Sequence, residues 1–204
     1  MADGRVLRAE RVRERRRKDI LDSSLRVFSE QGYWNTSITD LVRAAGVARG
    51  TFYLYFESKS SIFLELLTDL LTTLRGAVSG VDPGRDDSLE DQVVAVVERV
   101  LETLQHNRPL TRIVFREAVG LDAEVDAQLD AFNQELRGYL EKTIAIGQAM
   151  GWLRQEMDRT IMATSVLGAV REAVLVYVVR GQEEVEPREV AEQIVAFSLR
   201  GMTV

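Results

Sequence analysis

The sequence predicts an all-α protein of about nine helices, and three observations carry that prediction. Apolar residues recur at three- and four-residue spacing through most of the chain. No stretch alternates apolar and polar residues for long enough to argue for a strand. The breaks between periodic segments carry Gly, Asp, Asn and the chain's 3 prolines, which are turn and helix-start residues.

The first helix is expected from about Arg11 to Gln31, burying Ile20, Ser24, Val27 and Phe28, with Gly32 as its stop. Two short helices follow at roughly 38–45 and 49–55. Ser58 caps a fourth, whose apolar face comprises Ile62, Phe63, Leu66, Leu67, Leu70 and Leu74. Ser79–Ser88 reads as a linker. Beyond it Leu89, Val93, Val96, Val97, Val100, Leu101 and Leu104 keep helical spacing. Asn107-Arg108-Pro109 marks a break before a short helix over Leu110–Val119. A long helix then carries Val125, Leu129, Phe132, Leu136, Leu140 and Ile144 and ends near Gly151. The last two run from about Met157 to Val179 and from Pro187 to Arg200.

The most informative stretch is Thr36–Phe56, which reads as a helix-turn-helix. Ser37 caps its first helix, with Asp40 completing a capping-box-like pair. Ile38, Leu41, Val42 and Ala45 form one buried stripe, Gly46 takes the positive φ that ends the helix, and Val47 plugs the corner. The second helix buries Phe52 and Phe56 and leaves Arg49, Gly50, Thr51, Tyr53 and Leu54 outward. A long cation, a hydroxyl, a phenol and a gap for close backbone approach suit phosphates and base edges.

Charge agrees. The net charge is -6, yet residues 1–60 hold 12 Lys/Arg against 8 Asp/Glu while the remainder hold 14 against 24. A basic end on an acidic body presents one face to a polyanion. Arg5–Lys18 alone holds eight basic residues against Glu10 and Glu14. Residues 1–17 are either a solvated, disordered tail or an arm whose arginines reach phosphates or the minor groove.

From about Ile20 to Leu67 the chain resembles the TetR family of transcriptional regulators. The resemblance rests on Arg49-Gly-Thr-Phe-Tyr-Leu-Tyr-Phe56, followed by Ser58-Lys59 and an apolar helix. Residues 85–204 match only in helical organisation. The resemblance implies a DNA-binding domain over 1–60 and an effector-binding and dimerisation domain over 61–204. It implies a double-stranded DNA operator as partner, with Arg49, Thr51, Leu54 and Tyr55 approaching bases and Gly50 admitting the backbone. Ser37, Thr39, Tyr53 and Lys59 are expected to hold phosphates, Lys59 by clamping one at a helix N-terminus. Relatives often carry His in place of Tyr55 and Glu after the lysine, where this chain has Ser60 and Ser61, so weaker capping is expected there.

Residues 161–179 are apolar nearly all round, and Gly168, Ala169 and Ala173 would let another helix approach. This is either a central helix of its own domain or, with Val190, Ile194 and Phe197, half of a four-helix dimer interface, as the resemblance implies. A homodimer through residues 157–200 on a palindromic operator is therefore expected. The resemblance also implies a small, largely apolar effector that releases a repressor. Phe115, Arg116, Tyr139, Trp152, Arg171 and Tyr177 are candidate pocket residues; in the plainer reading they are core aromatics and paired or solvated charges.

Other chemistry finds little support. With 0 cysteines, disulfides, thiolate metal sites and cysteine nucleophiles are excluded. No nucleotide-binding glycine pattern or HExxH occurs, and His106 reads as a C-terminal helix cap. No enzyme activity, cofactor or metal is expected. Asp86-Asp87 and Glu183-Glu184 read as solvated turns. The N-terminus is charged, unlike a signal peptide. Arg171 and Glu172 interrupt the apolar run, and a charge at a bilayer's centre costs roughly 2.5–3.5 kcal/mol, so a soluble cytoplasmic protein without a membrane partner is expected. Two rivals stay open: a regulator without an effector, and a helical module whose basic end binds a protein or an anionic membrane.

Overall fold

A computed structural model describes residues 4–181 and 185–203. Among the described residues there are nine α-helices and no strand, the single extended pairing being an isolated bridge between Leu153 and Thr203. They are α1 (Gly4–Gln31), α2 (Ile38–Ala45), α3 (Arg49–Tyr53), α4 (Lys59–Val78), α5 (Leu89–His106), α6 (Arg108–Glu117), α7 (Ala123–Ala149), α8 (Arg159–Ala173) and α9 (Pro187–Met202). α8 continues as a π-helical stretch, Val174–Arg180, that stops at Gly181 in the left-handed region.

The largest departure from expectation is the start of α1. Residues 4–17 are helical rather than a disordered arm, and α1 reaches seven residues further toward the N-terminus than the apolar pattern indicates. Arg, Glu and Leu are strong helix formers, and Glu10–Arg13 and Glu14–Lys18 stand at supportive spacings. Residues 1–3 lie outside the described residues, as do Glu183 and Glu184.

α1 packs on the N-terminal half of α4, and α2 packs on α1. Phe28, Tyr33 and Phe63 form an aromatic cluster with centroids 5.4–6.4 Å apart. One continuous core then runs from Ile20 to Val195, so the expected boundary at residue 60 falls inside α4, which serves both halves. Ser24 is fully buried among these apolar groups and its hydroxyl has no hydrogen-bond partner. An unpaired buried hydroxyl carries a desolvation penalty of about 1–3 kcal/mol. Ser24→Ala is therefore expected to raise stability by about 1 kcal/mol, read as a higher denaturant midpoint at unchanged slope. A lower midpoint would contradict this.

The stretch 79–88 is stitched down rather than loose. Buried Gln92 accepts the Asp82 N–H at 2.7 Å and donates to the Asp82 and Asp87 carbonyls, each at 3.1 Å. Asp87 also bonds Arg85, and both Asp86 and Asp87 remain exposed to solvent as the sequence suggests. His106 Nδ1 lies 2.8 Å from the Glu102 carbonyl in the last turn of α5, as a C-terminal capping group should. The α7–α8 turn is held by Gln148, which donates to the Arg154 and Met157 carbonyls and accepts from Arg159. Trp152, Leu153 and Met162 pack there in a second, smaller cluster with Ile144.

Candidate nucleic-acid interface

The helix-turn-helix forms from local chemistry. Ser37 is extended and accepts the Asp40 N–H at 3.2 Å, while its own N–H donates to Asp40 Oδ2 at 3.0 Å. The Ser37 hydroxyl also donates to Asp40 Oδ2; that bond first, and the one from the Ser37 backbone N–H second, hold the Asp40 carboxyl below the usual carboxylate range. A depressed pKa makes the box complete at neutral pH and lost only as pH falls through that lowered value. Gly46 takes φ 63° and ψ 31°, and its N–H closes onto the Arg43 carbonyl.

α3 has only five residues, far too few to persist alone. It persists because Phe52 and Phe56 are buried beneath it and because Arg17 pins its end. Arg17 Nη1 donates to the Tyr55 carbonyl at 3.0 Å, its guanidinium lies 4.5 Å from the Phe56 ring centroid, and it grips Glu65 of α4 with both arms. The bond to Glu65 is the main reason that the guanidinium's pKa is raised. Composition reads Arg17 as one of eight basic residues, yet it continues the Ile20–Ser24–Phe28 stripe one turn toward the N-terminus. That spacing was the available signal for its structural role.

With its inner side fixed, α3 presents a defined outer side. Arg49, Gly50, Tyr53 and Leu54 are exposed, Leu54 at 74%, and Thr51 is half-buried. Arg49 Nη2 reaches Tyr53 Oη at 3.4 Å, with the guanidinium 5.7 Å from the ring centroid, which orients both side chains. A Cβ at Gly50 would meet nothing within 4 Å, so the protomer's own packing does not require glycine there. Ser37 and Thr39 are exposed in the same module, as are Arg43 and Trp34, which the sequence pattern does not single out. Tyr55 is half-buried against the core, because the chain has left the helix by that residue.

Lys59 is already engaged within the protomer. Its ammonium donates to the carbonyls of Tyr33 at 2.7 Å and Thr36 at 2.9 Å and lies 4.2 Å from the Tyr33 ring centroid. Two of its three protons are thus spent on the turn between α1 and α2. Burial pushes its pKa down, partly offset by the Glu117 carboxylate. The expected weak capping of α4 is corrected, since Ser61 completes a reciprocal box with Ser58.

The six pocket candidates are not brought together. Phe115 and Tyr177 are half-buried against the main core, and the Arg171 guanidinium lies 6.0 Å from the Phe115 ring centroid. Arg116 is exposed, Tyr139 is half-buried on α7, and Trp152 belongs to the separate second cluster. The helix faces, invisible in composition, separate them. A groove of about 730 Å³ instead lies on the outer side of α8 and α9, lined by Met157, Ser165, Ala169, Phe197 and Arg200. Phe197 is 79% exposed there and Ile161 of α8 is 65% exposed. Val190 and Ala173, expected at a dimer face, are buried in the protomer's own core, and Ile194 packs against it; Gly168 is exposed and Ala169 half-buried. Arg159–Arg180 is long and apolar enough to cross a membrane, but it packs against α7 and α9.

A recognition helix on a buried aromatic base, joined to a helical body, defines a helix-turn-helix regulator. Comparison with known proteins agrees. The family described as "Bacterial regulatory proteins, tetR family" matches residues 20–66, and "Tetracyclin repressor-like, C-terminal domain" matches residues 86–202. The uncharacterized HTH-type transcriptional regulator YdgC of Bacillus subtilis is 25% identical over 189 residues, 91% of this chain and 92% of that protein. Among solved structures, NalD of Pseudomonas aeruginosa, the secondary repressor of the MexAB-OprM multidrug efflux pump, is 26% identical with a TM-score of 0.76, covering 95% of this chain and 98% of that one. A TetR-family regulator from Syntrophomonas wolfei is 28% identical with a TM-score of 0.71, covering 91% and 94%. The chain belongs to the TetR family of DNA-binding transcriptional regulators. Its function is regulation rather than enzymatic catalysis.

Proposed function

We propose that two protomers pair through the outer sides of α8 and α9 and set their α3 helices into successive major grooves of a palindromic operator. The observation that carries this reading is the outer face of α3, where Arg49, Gly50, Thr51, Tyr53 and Leu54 stand clear while Phe52 and Phe56 lock the other side. Arg49, Thr51 and Leu54 approach base edges. Tyr53, Ser37 and Thr39 hold phosphates, and Lys59 contributes its one remaining proton. The protein acts in the cytoplasm as a repressor. It leaves DNA when a small, largely apolar molecule binds the C-terminal body near Phe115, Arg171 and Tyr177 and favours a protomer geometry that no longer matches the half-site spacing. The pump repressor NalD, which shares this fold and 26% identity, supports repression as the mode.

Arg49→Ala tests the base-reading role. A bidentate arginine contact to guanine contributes about 1–3 kcal/mol of discrimination. The variant is expected to bind its selected duplex about 10- to 100-fold more weakly and to lose preference at one base pair of each half-site. An affinity within twofold of the wild type would remove Arg49 from the readout.

A further inference from the structure

α6 is fastened at both ends. At its start, Arg108 Nε donates to the Val178 carbonyl at 2.9 Å, near the end of the π-helical extension of α8. At its finish, the Glu117 carboxylate accepts the Tyr33 N–H at 2.9 Å, across 84 residues of sequence. Tyr33 opens the turn that leads into α2, so this bond joins the C-terminal body to the base of the helix-turn-helix.

The placement of the charges is unusual in a telling way. Glu117 lies at the C-terminal end of α6 and against the C-terminal end of α1, two places where the helix dipole disfavours a negative charge. Lys59 is the first residue of α4, where the dipole disfavours a positive one. Each is misplaced on its own helix and well placed for the other, and Glu117 lifts the Lys59 pKa against the pull of burial. Between them both close on Tyr33, Glu117 through its N–H and Lys59 through its carbonyl. Gly32 makes room: with φ 83° it already needs glycine, and a Cβ there would lie 3.3 Å from both Glu117 oxygens. Local rules broken together, with compensation only between elements, mark a built junction rather than surface decoration.

We infer that Glu117 is a positioning residue for DNA recognition, the pin through which α6 sets where the helix-turn-helix stands on the body. The inference rests on the operator-binding reading, and its test separates the two.

Amide hydrogen exchange and duplex affinity are measured on the wild-type chain, Glu117→Ala and Glu117→Gln, using a duplex selected from a random pool. In Glu117→Ala, exchange at Tyr33–Ser37 is expected to quicken about tenfold or more while α5 and α9 keep their protection, and duplex affinity falls about tenfold. Glu117→Gln keeps an acceptor oxygen and loses the charge, so it falls between Glu117→Ala and the wild type on both measures. Unchanged exchange at Tyr33–Ser37 in both variants overturns the pin. Quickened exchange with affinity held within twofold overturns it too, leaving a merely structural bond. If the wild type selects no duplex, the operator reading fails, and the positioning role fails with it even if the exchange data establish the bond.

Discussion

Phe52→Ala is expected to abolish measurable operator binding. The side chain is fully buried, meets Phe56 at 6.3 Å between ring centroids, and is the main apolar anchor of a five-residue helix. Truncating a buried phenylalanine costs about 3–5 kcal/mol, against a total stability of about 5–15 kcal/mol for a domain. The loss falls on an element with almost no stability of its own, so α3 leaves its seat before the body unfolds. Apparent affinity drops with the fraction of molecules whose recognition helix is docked. Exchange over residues 38–56 should rise steeply while the amides of α5, α7 and α9 stay protected. Uniform loss of protection everywhere would mean that the module and body unfold as one unit.

The second large effect lies at the far end of the molecule. Phe197→Glu should convert the protein to a monomer and reduce operator affinity by two orders of magnitude or more. Phe197 is the most exposed large apolar side chain lining the α8–α9 groove, and Ile161 of α8 is 65% exposed. Apolar surface of that kind on a soluble helical body marks an interface, and a central aromatic commonly contributes about 2–4 kcal/mol to one. Sedimentation of Phe197→Glu and Ile161→Glu reports the assembly directly. Dimers persisting in both variants would place the contact elsewhere.

What the sequence made legible was local. Ser37 and Asp40, Gly46, Ser58 and the Phe52–Phe56 pair each act within four residues, so spacing alone identified them. Helical order followed from apolar periodicity for the same reason. What it hid was pairing at a distance. Arg17 reaches Glu65 across 48 residues and Glu117 reaches Tyr33 across 84, and no periodicity reports either bond. The resemblance points Lys59 at a phosphate, but nothing in its spacing reports the two carbonyls that its ammonium also reaches. Trp152 and Phe115 look alike as aromatics in aliphatic helices but belong to different clusters, because the face each occupies depends on how the helices pack. Val190 faces the protomer's own core for that reason, whereas Phe197 on the same helix is exposed.

The central claim is that a dimer reads two inverted half-sites through α3. Selection from a random duplex pool at physiological salt, followed by sequencing of the bound fraction, tests it most directly. The account predicts a palindromic consensus whose half-sites are centred about one helical turn, 34–36 Å, or a multiple of it apart, with weaker binding as salt rises. Enrichment of a lone half-site would contradict the dimer, and weak salt-labile binding with no enriched sequence would contradict recognition itself.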